Sequence, residues 1–162
     1  MRILLGIDGN DTKGLLNELA TLVPLEEQEL LLAYIHDTGA RGEMDLIRGR
    51  FPGRPLPVDR LDRIGAAERA RADGILEDGE RAAHGLARTV GVHVDAGEPG
   101  RVLVTIATER QVDLVVVGAR SETTTVPAGP RSLGHTARFV VDHSPSPVLL
   151  LRHSLDASPK RG

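Results

Sequence analysis

The sequence predicts an α/β protein built on an open five-stranded parallel sheet with helices on both faces. Two observations carry this expectation. Short, almost purely apolar runs of four to six residues recur along the chain, and runs of that kind suit strands buried on both sides. Between them the apolar period lengthens to about 3.6 residues, the period of an amphipathic helix. Strands and helices that alternate in this way require parallel strands joined by right-handed crossovers.

Each element can be justified in turn. Ile3-Leu4-Leu5-Gly6-Ile7 is the first strand. Leu15, Leu16, Leu19 and Leu22 then line one face of a helix that Asn10, Asp11 or Thr12 caps. Leu30-Leu31-Leu32-Ala33-Tyr34-Ile35 is the second strand. Residues 38–58, with Gly39, Gly42, Gly49, Gly53 and three prolines, read as a flexible insertion. A long helix follows, with Leu61, Ile64, Ala72, Ile75, Ala82, Leu86 and Val90 near one stripe. Gly74, Gly79 and Gly85 interrupt it at about 1 kcal/mol each against Ala, which predicts a kink or break. Val92-His93-Val94-Asp95-Ala96 alternates, as a strand with one wetter face does.

Glu98-Pro99-Gly100 opens a third helix, with Pro99 in its first turn and Val102, Leu103, Ile106 and Ala107 inward. Leu114-Val115-Val116-Val117 is the fourth strand. A fourth helix runs from about Gly134 to His143, stopped by Pro145 and Pro147, and Val148-Leu149-Leu150-Leu151 closes the sheet. Residues 1–152 thus form one domain, and 153–162, with only Leu155 and Ala157 apolar, a disordered tail.

Composition narrows the function. A chain of 162 residues buries roughly 70% of its unfolded surface and needs no staple. It has no cysteine, which removes thiol catalysis, disulfides and Cys-ligated metals together. The formal net charge of −3 and only three aromatics (Tyr34, Phe51, Phe139) argue against nucleic-acid and membrane partners. The apolar runs are far shorter than a membrane span, and no charged-then-apolar leader precedes the first strand. A cytoplasmic location is the expectation. The six histidines show no i, i+4 pair, so no metal site is assigned. No Gly-x-Ser-x-Gly elbow, P-loop or Gly-x-Gly-x-x-Gly turn is present. No catalytic residue is assigned either.

Ligands of open α/β sheets bind beyond the carboxyl ends of the strands, where the strand order reverses. The residues leaving the strands there are Asp8-Gly9-Asn10-Asp11-Thr12, then His36-Asp37, then Gly118-Ala119-Arg120-Ser121, and finally Ser132-Leu133-Gly134-His135-Thr136 opening a helix. Glycines that admit close backbone approach, together with a helix N-terminus, are the makings of an anion site. Arg120 and Arg131 add charge to it. A charged imidazole at His135 opposes the helix dipole yet can pair with a phosphate. His36, beside Asp37, reads better as a hydrogen-bonded structural histidine. The run from Asp8 to Thr12 faintly resembles the opening of aspartate-nucleophile phosphatases. It has Asn10 where those enzymes want a second Asp, and helix capping explains Asp11 and Thr12 better.

Four separated segments, in order, resemble a universal stress protein domain. They are Ile3-Leu4-Leu5-Gly6-Ile7-Asp8-Gly9; Glu98-Pro99-Gly100 with Asp113-Leu114-Val115-Val116-Val117-Gly118; Leu133-Gly134-His135-Thr136-Ala137; and Val140-Val141-Asp142-His143-Ser144-Pro145-Ser146-Pro147-Val148-Leu149-Leu150. The resemblance implies a Rossmann-like sandwich of the adenine nucleotide alpha hydrolase type. It also implies a homodimer paired through the last strand, here Val148, Leu149, Leu150 and Leu151. Many members bind ATP, with or without magnesium, lack a dedicated catalytic apparatus and act in stress survival or signalling.

ATP-binding members carry Gly-x2-Gly-x9-Gly-(Ser/Thr) after the fourth strand. Carried over, the first glycine is Gly118, the carboxylate beside ribose and adenine is Asp8, with Gly6 on the same strand counted among the ligand-binding positions, and the second-strand position meeting adenine is Ile35. The rest of the motif departs. The second glycine is Ser121, next to Arg120. The third aligns as Gly134 after twelve intervening residues, followed by His135 and then Thr136. A rival alignment keeps the nine-residue spacing and a hydroxyl at Ser132, but sets Arg131 where backbone approach needs glycine. Two readings follow, an adenine-nucleotide-binding stress module or a dimeric interaction protein whose anion pocket is degraded or repurposed.

Overall fold

A computed structural model describes residues 1–38, 58–119 and 133–152, with backbone alone over 58–64. It contains β1 (Arg2–Ile7), α1 (Thr12–Leu22), a 3-10 turn (Leu25–Glu27), β2 (Glu29–Asp37), α2 (Val58–Ala83), β3 (Thr89–Gly97), α3 (Pro99–Glu109), β4 (Leu114–Gly118), α4 (His135–His143) and β5 (Val148–Leu151). All strands are parallel, in the order β3-β2-β1-β4-β5. The chain first steps outward from β1 to β2 and β3, then returns across β1 to β4 and β5. Right-handed crossovers in opposite directions put α1 and α2 on one face and α3 and α4 on the other.

The two faces hold separate cores. Odd-numbered β1 residues, Ile3, Leu5 and Ile7, pack with Leu30 and Leu32 against Leu16 and Leu19 of α1 and Leu76 and Ala83 of α2. Leu4, Ala33, Ile35, Val115 and Val117 pack against Leu103, Ile106 and Ala107 of α3 and Ala137 and Val140 of α4. This two-sided burial explains why β1, β2 and β4 are continuously apolar. Of the expected inward residues of α3, Leu103, Ile106 and Ala107 are buried and Val102 is half-buried.

The long helix corrects one expectation. It passes through Gly74 and Gly79 without a break and ends at Ala83, just before Gly85, whose φ is +90°. Gly79 is a contact device, because a Cβ there would lie 3.2 Å from Leu32 Cδ1 and 3.4 Å from Thr12 Cγ2. Nothing in the structure explains Gly74, which faces open space. The stripe also shifts. Leu76 is buried, Ile75 and Ala82 only half so, and Val90 belongs to β3 rather than to the helix. Leu61 and Ile64 fall among the residues described by backbone alone. The insertion over 38–58, save its end residues, and the tail over 153–162 lie outside the described residues.

Opposite the ligand edge, polar bonds clamp the strand starts. Arg2 Nε donates to Glu29 Oε2 at 3.3 Å, Arg88 Nη2 to Glu29 Oε1 at 2.9 Å, and the Arg2 N–H to Asp113 Oδ2 at 2.6 Å. The Arg2 guanidinium, and then Arg88, hold the Glu29 carboxyl below its ordinary range.

Candidate functional site

β1 lies between β2 and β4, and the direction of winding reverses across β1 and β4, so the crevice at their carboxyl ends is where a ligand is expected. Asp8 leaves β1 at that point. Its Oδ1 accepts the Asn10 N–H at 2.8 Å and its Oδ2 accepts from Asn10 Nδ2 at 3.2 Å, an Asx turn that fixes the carboxylate. Asn10, which sequence reasoning weighed as a cap and as a departure from the phosphatase pattern but not as a brace, is what orients it. Asp11 is the cap of α1. It sits at φ 52°, and its side chain accepts from the Gly14 N–H at 3.0 Å.

Backbone direction brings two further positions toward the end of β1. The Glu29 N–H donates to Met1 O at 3.0 Å. Alternation along β2 therefore turns the Ile35 peptide groups to the same side, beyond Ile7, the last residue that β1 pairs with β2. From the other side, the Ala119 N–H donates to Leu151 O at 2.7 Å, which turns the neighbouring Gly118 toward β1. The Ile35 side chain is buried in the α3/α4 core, so only its backbone is available to a ligand. Gly118 is exposed at the tip of β4, and a Cβ there would approach Leu15 Cδ1 at 3.3 Å. Gly6 has a different place. It lies mid-strand beneath α3, where a Cβ would meet Leu103 Cδ1 at 3.0 Å, so its contribution is helix–sheet packing.

Gly134 caps α4 with φ 80° and ψ 160°, a region open to glycine, and makes no side-chain cap bond. α4 begins on the carboxyl side of β4, with His135 exposed and Thr136 half-buried. His135 does not stand free. Its Nε2 donates to Glu98 Oε1 at 3.1 Å, while Arg101 Nε donates to Glu98 Oε2 at 2.7 Å. His135, and then Arg101, lower the Glu98 pKa from its ordinary value. No local pattern signals the Glu98–His135 pair, since the partners are 37 residues apart. Arg120 and Ser121, and the rival pair Arg131 and Ser132, lie outside the described residues.

His36 is engaged as a hydrogen-bonded structural histidine is. His36 Nε2 pairs with Glu68 Oε2 at 3.1 Å, tying β2 to α2. Among the described residues, no three metal-ligating side chains gather into a site, and no helix is long and apolar enough to cross a membrane. A cavity of about 650 Å³ opens beside Gly9, Thr12, Ile75 and Arg81, between the α1 N-terminus and α2. It adjoins the Asp8 turn and is lined in part by the capping Asp11, but it lies on the α1/α2 face, opposite the one that carries Glu98 and His135.

Comparisons with known proteins agree with this geometry. The universal stress protein family model matches residues 1–152. No match emerges among curated protein sequences. The universal stress protein UspA from Lactobacillus plantarum is similar in structure, with TM-score 0.67 and 22% identity over 94% of this chain and 97% of that one. A universal stress protein family member from Arabidopsis thaliana, solved with AMP bound, gives TM-score 0.65 and 14% identity over 99% and 97%. A universal stress protein in complex with cAMP gives 0.57 and 20% over 93% and 95%. At these identities the structural likeness speaks for the fold alone, whereas the family model covers nearly the whole sequence. The chain belongs to the universal stress protein family.

Proposed function

We propose that this protein is an adenine-nucleotide-binding module acting in stress response or signalling, without dedicated catalysis. The observation that carries the reading is convergence at one crevice. The fixed Asp8 carboxylate and the inward-turned backbone of Ile35 and Gly118 adjoin the end of β1, and Gly134 begins α4 beyond the neighbouring β4. In this reading Asp8 takes the sugar hydroxyls and Ile35 offers its carbonyl to the adenine amino group. Gly118, Gly134, His135 and Thr136 cradle the phosphates, completed by Arg120 and Ser121. The likeness to structures solved with AMP and with cAMP supports an adenine ligand, and ATP, with or without magnesium, is included. Slow or absent hydrolysis belongs to this reading.

The same reading makes residues 1–152 one cytoplasmic domain that forms a homodimer through β5. β5 is a sheet edge, and Val148, Leu149 and Leu150 on it are half-buried and apolar. The alternative, an interaction protein with a repurposed anion pocket, draws on the engagement of His135 by Glu98. Equilibrium binding of AMP to Asp8→Ala and Gly134→Val variants tests the assignment. Both are expected to lose binding while remaining folded, and unchanged affinity in both would sink it.

A further inference from the structure

β3 is an edge of the sheet, and among the described residues no strand pairs with its outer side. The Thr89 N–H donates to Gln28 O at 3.4 Å and Gly97 O accepts the Thr38 N–H at 3.2 Å, so odd-numbered β3 residues turn their peptide groups toward β2. Those of Val90, Val92, Val94 and Ala96 therefore face outward. The Ala96 N–H is already held by Asp95 Oδ1 at 2.8 Å, and the outward positions before it are all valine. Their side chains share the α1/α2 face, since Val90 and Val92 pair with Leu30 and Leu32, and Val94 with Tyr34. The helices leave that stripe open, with Val92 44% and Val94 49% exposed. Proteins blunt such edges with lysine, proline or a bulge, and none of these stands between Val90 and Val94.

We propose that β3 is a docking edge for a second copy of this chain, which pairs with it antiparallel about a two-fold axis through Val92. The edge is its own complement in that register. Val92 faces Val92 and Val90 faces Val94, so the outward N–H and C=O groups meet in hydrogen-bonded pairs. The axis stands perpendicular to the sheet, which gathers the valines of both copies on the α1/α2 face. On the other face Asp95 falls opposite Thr89 of the second copy. Beside that Thr89 lies Arg88, which reaches Glu29 on the same face at 2.9 Å. Opposite charges thus adjoin at both ends, and His93, 3.6 Å from Asp95, falls opposite Gly91. A shift of two residues either way would set a valine against Arg88 or against Ala96, whose N–H is taken. Three valines a side fall well short of the roughly 20–30 residues a side of a standard interface, so the contact belongs to concentrated solution. It is independent of the nucleotide reading and of pairing through β5.

Sedimentation of the full chain from about 1 μM to about 1 mM tests this. Leu150→Pro removes the other edge from consideration. That variant is expected to be a monomer when dilute and to climb toward twice the mass when concentrated. Adding Val92→Lys should abolish the climb, and because Val92 is exposed the substitution should leave the fold intact; Val94→Lys serves in its place if it does not. No gain in Leu150→Pro, or an equal gain with and without the lysine, would overturn the docking edge. Amide exchange identifies the occupant. The Val92 and Val94 N–H groups should exchange fast in dilute Leu150→Pro protein and slow in step with the dimer fraction. Slow exchange already in dilute solution would mean that the chain's own residues cover the edge, and would overturn the proposal too.

Discussion

At the scale of single residues, the candidate site depends on backbone conformations that few side chains tolerate. Gly134 sits at φ 80° and ψ 160°, a region in which other residues carry strain of about 1–3 kcal/mol. Gly134→Ala is therefore expected to destabilise the protein by that amount in urea titration, in addition to weakening ligand binding. Loss of binding with unchanged stability would mean that the substituted residue relaxes to an ordinary φ. Asp11 makes a second case. Asp11→Ala removes the acceptor for the Gly14 N–H and leaves alanine at φ 52°. A loss of about 1–2 kcal/mol is predicted, whereas Asp11→Asn, which keeps a cap and tolerates that φ, should be nearly neutral. Equal losses in the two variants would refute the capping account. Asp8, Asp11 and Gly134 were all legible in the sequence because strand ends and helix starts are marked by their own residue types. Asn10 as the brace of Asp8, and Glu98 as the partner of His135, were not. Such partnerships depend on loop path and on distant helix packing, neither of which leaves a local pattern.

At the scale of elements, α3 and α4 meet through a small residue. A Cβ at Gly100 would lie 2.8 Å from Phe139 Cβ and 3.1 Å from its ring. The same ring stacks on His143 at a centroid distance of 4.1 Å, and the Arg101 guanidinium lies 5.2 Å from its centre. Gly100→Ala must part the two helices at the end that carries Glu98 and His135. A cost of about 1–3 kcal/mol is predicted from overpacking, read as a lowered urea midpoint, and an unchanged midpoint would show that the helices slide freely. At the opposite edge the depressed Glu29 carboxyl makes a pH prediction. A carboxylate whose folded pKa lies below 4.5 gives its full stabilisation above that value and loses it as pH falls through the lowered one. The melting temperature should fall as the solution is acidified through 4.5, and Glu29→Gln should flatten that fall. An equally steep fall in the variant would place the effect elsewhere. Helix and strand identities were readable from period alone. The course of α2 was not, because Gly79 reads locally as a break while its close contact with Leu32 and Thr12 is a tertiary fact.

At the scale of the molecule, the order β3-β2-β1-β4-β5 places β5 at an edge. Pro147 and Leu151 accept from β4, so by alternation Val148 and Leu150 turn their peptide groups outward. Leu150→Pro would remove an outward donor without breaking the ladder to β4, and proline is tolerated at such an edge. If β5 pairs with a second copy, this variant should sediment as a folded monomer while the wild-type protein sediments as a dimer. A dimer unaffected by the substitution would exclude pairing through β5. The sheet and its two layers were open to sequence reasoning because a parallel sheet buried on both faces writes continuous apolar runs. The ligand was less so. The phosphate-binding motif departs at Ser121 and His135, and the contact of His135 with Glu98 joins two helices and leaves no trace in the motif itself.

The central claim is that an adenine nucleotide binds where β1 ends between β2 and β4. Calorimetric titration of AMP into the nucleotide-stripped wild-type protein tests it most directly. A micromolar isotherm near one site per chain, lost in Asp8→Ala, is the predicted result. A flat trace, or one that Asp8→Ala leaves unchanged, would contradict it.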